Sequence, residues 1–168
     1  MKIIVFILCI WIYDQVISMI RKLKRRIMYK KAKDRADSTD KKLLIIGDPY
    51  NGLSSITFGS DYECGDLCLD LTGCPKCPVS IKGRLEDTIA DINLDEYVVF
   101  ISCVLEYVDD IDYILGYLDQ MNKDDLFIVH VEWYAPTAYL YPYYLTGERP
   151  PRYIFYDSTK YFKNPIIF

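Results

Sequence analysis

The chain has 168 residues, room for one domain with an appendage, and a formal net charge of −4. That total hides an asymmetry: residues 1–40 carry ten Lys/Arg against four Asp, and residues 41–168 carry ten Lys/Arg against twenty Asp/Glu. A surface that acidic repels phosphate backbones, so nucleic acid is not expected as a partner of residues 41–168.

Residues 3–20, "IIVFILCIWIYDQVISMI", are apolar except for a few polar positions, chiefly Asp14 and Gln15. As a helix this stretch reaches roughly 27 Å, enough for the hydrocarbon core of a bilayer. A cleaved signal peptide places basic residues before its apolar run and small ones after it. Here only Lys2 precedes the run, while nine Lys/Arg lie within residues 21–35. That bias predicts an uncleaved single-pass anchor whose basic side stays cytosolic, with the basic run resting on anionic headgroups. The expected organisation is an anchor (1–20), a basic juxtamembrane segment ending in the linker-like "KDRADSTD" (21–40), and a domain (41–168). In a cytosolic domain the cysteines stay reduced, as free thiols or metal ligands and not a disulfide framework.

Within the domain, "LLII" (43–46) is a continuous apolar run closed by Gly47, Asp48 and Pro49, the pattern of a strand buried on both faces. "LCLDL" (67–71) reads as a second strand, "VSIKG" as a weaker third, and "EYVVFISCVL" (96–105) as a strong fourth. In "DDIDYILGYLDQM", Ile111, Ile114, Leu115 and Leu118 fall at i, i+3, i+4, i+7, an amphipathic helix. "DDLFIVHVEW" gives another buried strand, and "YIFYDSTKYFKNPIIF" two more around a turn. Buried strands alternating with a helix predict an α/β layered domain.

Such sheets bind ligands at the carboxyl ends of their strands. Gly47 and Gly52 flank the first strand's exit, where glycine permits a sharp turn and close backbone approach. "LSSITF" after them offers a helix N-terminus, although Gly-Asp-Pro and Asn-Gly are ordinary turn dipeptides as well. Asp70, followed by Leu71, ends the second strand where a carboxylate accepts ribose hydroxyls. Glu86 and Asp87 follow the third strand, and Ser102 and Cys103 leave the fourth.

"VVFISCVLEYVDDIDYIL" resembles the fourth-strand-to-helix segment of class I S-adenosylmethionine-dependent methyltransferases, and "LLIIGDPYNG", "DLCLDL" and "GRLEDTI" stand in matching order. The similarity covers roughly residues 42–133. It implies a trimmed Rossmann-like, mostly parallel sheet with a small-molecule methyl donor, S-adenosylmethionine, across its carboxyl edge. Gly47, Asp48 and Gly52 would lie beside the donor's amino-acid part, Asp70 would hold its ribose, and Glu86 or Asp87 would meet the adenine. Two departures stand out: the family's Gly-x-Gly-x-Gly lacks its middle glycine here, and Tyr107 replaces the family's histidine. The chain also looks like membrane-anchored proteins of large DNA viruses, which implies a virion or internal host membrane.

Cys64, Cys68, Cys74 and Cys77 supply one Cys-x-x-Cys knuckle, whereas tetrahedral zinc sites commonly unite two. A four-cysteine zinc site and a small buried core residue at Cys68 both remain open. His130, the sole histidine, sits in an apolar run and reads as core, with Glu132 the better acceptor contact. The tyrosine-dense segment after Trp133 reads as an acceptor site or as a protein-partner interface. Two functions follow: a membrane-anchored methyltransferase-like protein, or a non-enzymatic scaffolding protein that keeps the fold, with zinc as a stabiliser.

Overall fold

A computed structural model describes residues 2–50, 60, 62–130 and 166–167. Helix α1 (Lys2–Thr39) leads into strand β1 (Lys42–Ile46) through a turn in which Asp40 takes a φ of 55°. Strands β2 (Leu67–Asp70), β3 (Ser80–Lys82), β4 (Tyr97–Ser102), β5 (Leu126–His130) and β6 (Ile166–Ile167) complete one sheet. Its order is β3-β2-β1-β4-β5-β6, with every pair parallel. This is the strand order of doubly wound nucleotide-binding sheets, so the expected α/β class holds.

Side chains alternate across the strands and build two cores. Leu44, Ile46, Leu69, Val99, Ile101 and Ile128 pack on the face covered by α2 (Leu85–Thr88), 3-10 turns and α3 (Ile111–Leu118). Asp110 caps α3 by accepting the Tyr113 N–H at 3.0 Å, satisfying one of the free donors at the helix start. Leu43, Ile45, Cys68, Val98, Phe100 and Val129 form the other face, covered by α1 and the cysteine loop.

Two expectations change here. The linker-like stretch before Lys41 forms the last turns of α1, and Met28, Tyr29, Ala32 and Ala36 are buried against the sheet. Between β2 and β3, nine residues with no helix connect parallel strands, a join that commonly takes a dozen or more residues and a helix. Cys74 and Cys77 are buried in that connection.

The first half of α1 stands clear of the sheet. It is long and apolar enough to cross a membrane, and Ile4, Phe6, Trp11 and Met19 are 59–66 % exposed. The second half runs antiparallel to the strands. Arg35 and Lys41 meet Asp125 just before β5 begins, whereas Tyr29 packs on Phe100 late in β4. Following α1 backwards from Arg35 therefore leads from the amino edge of the sheet to its carboxyl edge, and onward into the apolar half.

Candidate functional site

In this strand order the winding reverses between β1 and β4, which opens a crevice at their carboxyl ends. Gly47 lies there with φ +108° and donates its N–H to the Leu69 carbonyl at 2.8 Å. A Cβ on Gly47 would stand 2.9 Å from the Ser102 carbonyl oxygen and 3.0 Å from Val104 Cγ2. Glycine is needed at this position because the exits of β1 and β4 touch each other. Tyr62 closes the space further: its hydroxyl donates to the Gly47 carbonyl at 3.3 Å, and its ring meets Phe100 edge-on at 5.1 Å. Burial raises the Tyr62 phenol well above its usual range, and it stays a neutral donor.

Asp70 ends β2 as expected, yet its carboxylate serves the chain itself. One oxygen accepts the Asp48 N–H at 3.1 Å; the other accepts the Thr72 N–H at 2.9 Å and the Thr72 hydroxyl at 2.8 Å. An ionised carboxylate offers about four acceptor positions, so a ribose would have to displace loop contacts to be gripped by both hydroxyls. Asp48 accepts the Tyr50 N–H at 2.9 Å, and burial first, then the Asp70 charge, hold its carboxyl above the ordinary value. Two carboxylates thus stand close together at the carboxyl ends of β1 and β2, and an anion approaching this edge would be repelled.

Glu86 accepts the Asp109 N–H at 2.6 Å, and Arg84 pairs with Asp109, so this acid braces the approach to α3. Asp87 and Leu71 are exposed. Ser102 is buried, and its hydroxyl has no hydrogen-bond partner among the described residues. Cys103 takes φ 55°, and burial, then the Glu106 carboxylate, push its thiol up to about 12 despite Arg25 and Arg21. A thiol so placed stays protonated and is a poor nucleophile at neutral pH. Gly52, Glu132 and the tyrosine-rich segment lie outside the described residues. Nor is the His130 side chain described, although its backbone belongs to β5.

The cysteines depart from expectation. Cys64 pairs with Cys77 and Cys68 with Cys74, with Cα atoms 5.5 and 6.2 Å apart, so this is a disulfide framework after all. Register explains it: parallel pairing of β2 with β3 brings the segment before β2 against the loop after it. The sulfurs of Cys68, Cys74 and Cys77 also lie within 4.8 Å of one another, close enough to hold one metal ion when reduced.

One feature was not singled out from the sequence. Arg26, Tyr29 and Lys33 follow one another on a single face of α1 and, with Tyr50, Ser60, Tyr62 and Glu63, line an open cleft of about 370 Å³. The i, i+3, i+7 spacing was readable in "RIMYKKAK", but the opposite wall comes from residues 50–63, on the far side of β1. Comparison with known proteins adds no assignment: no family model, curated protein or solved structure matches the chain.

Proposed function

We propose that this chain is a single-pass membrane protein whose α/β domain is a structural, non-enzymatic part held at the membrane surface. The observation that carries the reading is the self-satisfied switch point. Tyr62 fills it, Gly47 abuts Ser102, and Asp70 spends its oxygens on Asp48 and Thr72. None of the described side chains there is poised as a base or nucleophile. The anchor reading is supported by the exposed apolar half of α1 and by the order of charges, with the basic residues after the run, which favours a cytosolic domain. A virion or internal host membrane suits such a part, and the tyrosine-rich segment suits a protein partner.

A second reading keeps donor binding alive through the strand order and the positive φ of Gly47 at the switch point. Calorimetric titration of the full chain in detergent with S-adenosylmethionine and its demethylated product separates the two. The structural reading expects no heat from folded protein; micromolar binding lost on Asp70→Ala would overturn it. Zinc on Cys64, Cys68, Cys74 and Cys77 would be the reduced counterpart of the two disulfides and would pin the same loop, with sulfurs at ~2.3 Å from the ion; the mutual approach of the Cys68, Cys74 and Cys77 sulfurs supports it.

A further inference from the structure

The cleft beside α1 lies at the membrane end of the domain. Because α1 runs antiparallel to the strands, the carboxyl edge of the sheet points back along the helix toward its apolar half. Arg26 follows the end of that half, Ile20, by six residues, about 9 Å along the axis, near the depth of the headgroup layer. Lys33 stands two turns further, about 10 Å beyond Arg26 on the same face. Tyr29, Tyr50, Ser60, Tyr62 and Glu63 line the same cleft. Lys76 approaches from the far wall, its Nζ 4.9 Å from the centre of the Tyr50 ring.

Two cations against one carboxylate line this cleft, a positive balance on a domain that is otherwise acidic. Lys33 is joined to Glu63 only by an exposed contact of 3.5 Å, which a phosphate can replace at little cost. The long separation of Arg26 from Lys33 suits two phosphates on opposite sides of a polyol ring, and the tyrosine faces and Glu63 suit the hydroxyls between them. We propose that this cleft binds the phosphorylated polyol headgroup of a membrane lipid, with Arg26 on the phosphodiester and Lys33 on the outer phosphate. This rests on the reading of α1 as a membrane anchor.

The test uses the full chain in neutral detergent micelles doped with phosphatidylinositol 4-phosphate or with phosphatidylcholine, and measures phosphorus retained per chain after gel filtration. Stoichiometric retention of the phosphoinositide alone is expected. Arg26→Gln with Lys33→Gln should weaken it by about tenfold or more, while Lys30→Gln with Lys31→Gln, which removes equal charge outside the cleft, should leave it unchanged. Equal loss in both double variants, or no retention by the wild type, overturns the site. Soluble inositol 1,4-bisphosphate competing at the same concentration as the lipid keeps the phosphate site but overturns the membrane as its source. Extraction of membranes at alkaline pH reads the anchor separately: release of the chain there would remove the anchor while the soluble arm still reports on the cleft.

Discussion

Asp125 shows how a single residue fixes α1 to the sheet. Its side chain is 3 % exposed and takes Arg35 Nε at 2.7 Å and Lys41 Nζ at 2.9 Å, from partners 90 and 84 positions away. Burial alone would raise its pKa, but the hydrogen bonds and charges of Arg35 and Lys41 outweigh it and hold the carboxyl below the usual carboxylate value. A depressed folded-state pKa means stability present above the unfolded value of about 3.9 and lost as pH falls through the folded one. Asp125→Asn should therefore destabilise the chain by about 1–3 kcal/mol at neutral pH, less than a fully buried pair because both cations are about a third exposed. Urea midpoints measured against pH check this: the gap between wild type and variant should hold from pH 7 to about 5 and shrink once pH falls below the unfolded value of about 3.9. A gap independent of pH would mean that the carboxylate's charge contributes nothing. Sequence reading could not find this residue, since nothing local marks which of the two aspartates before Leu126 turns inward.

Among the elements, the strands were the most legible part of the chain. Strands buried on both faces become unbroken apolar runs, and residues 43–46, 67–71 and 96–105 fell on β1, β2 and β4 within a few residues. The end of α1 was missed for the opposite reason. Its buried stripe consists of Met28, Ala32 and Ala36 at i, i+4, i+8 with Tyr29 beside them, and two alanines amid charged neighbours give little hydropathy. The candidate site was legible in part: Gly47, Asp70 and Ser102 do converge on one edge, because topology alone brings strand ends together. That Asp70 is spent on Asp48 and Thr72 depends on loop geometry, which no spacing encodes. The element-scale consequence concerns where the chain can be cut. A chain starting at residue 21 should stay folded, whereas one starting at residue 41 loses the burial of Met28 and Tyr29, roughly 5 kcal/mol with the two alanines. It would also strip Arg35 from Asp125. Thermal melts and limited proteolysis of the two chains should differ accordingly. Equal stability would mean that α1 is only a tether.

At the scale of the whole molecule, two signals point to different compartments. Under the proposed anchor, the basic run after the apolar half of α1 would put the domain in the cytosol, where thiols stay reduced, yet four cysteines form two disulfides. Burial reconciles them. Cys68 and Cys74 are at most 1 % exposed and Cys77 is 9 % exposed, on the face that α1 covers, while Cys64 is half-buried, so the Cys68–Cys74 bond is the better shielded of the two. Exchange requires a thiolate to reach a sulfur, so bonds formed early persist when the reductant cannot approach. They also stand in for the missing crossover helix, and closing the loop of Cys64–Cys77 is worth about 3 kcal/mol in the chain-entropy account. Cells lysed into an alkylating reagent, followed by denaturation and mass analysis of the full chain, should show alkylation at Cys9 and Cys103 alone, the two free cysteines. Alkylation at all six after denaturation, with zinc bound to the native protein and lost in Cys74→Ser with Cys77→Ser, would replace the disulfides by a metal site built from the same sulfurs. Either linkage would close the same loop, because the parallel register of β2 and β3 sets the segment before β2 against the loop after it.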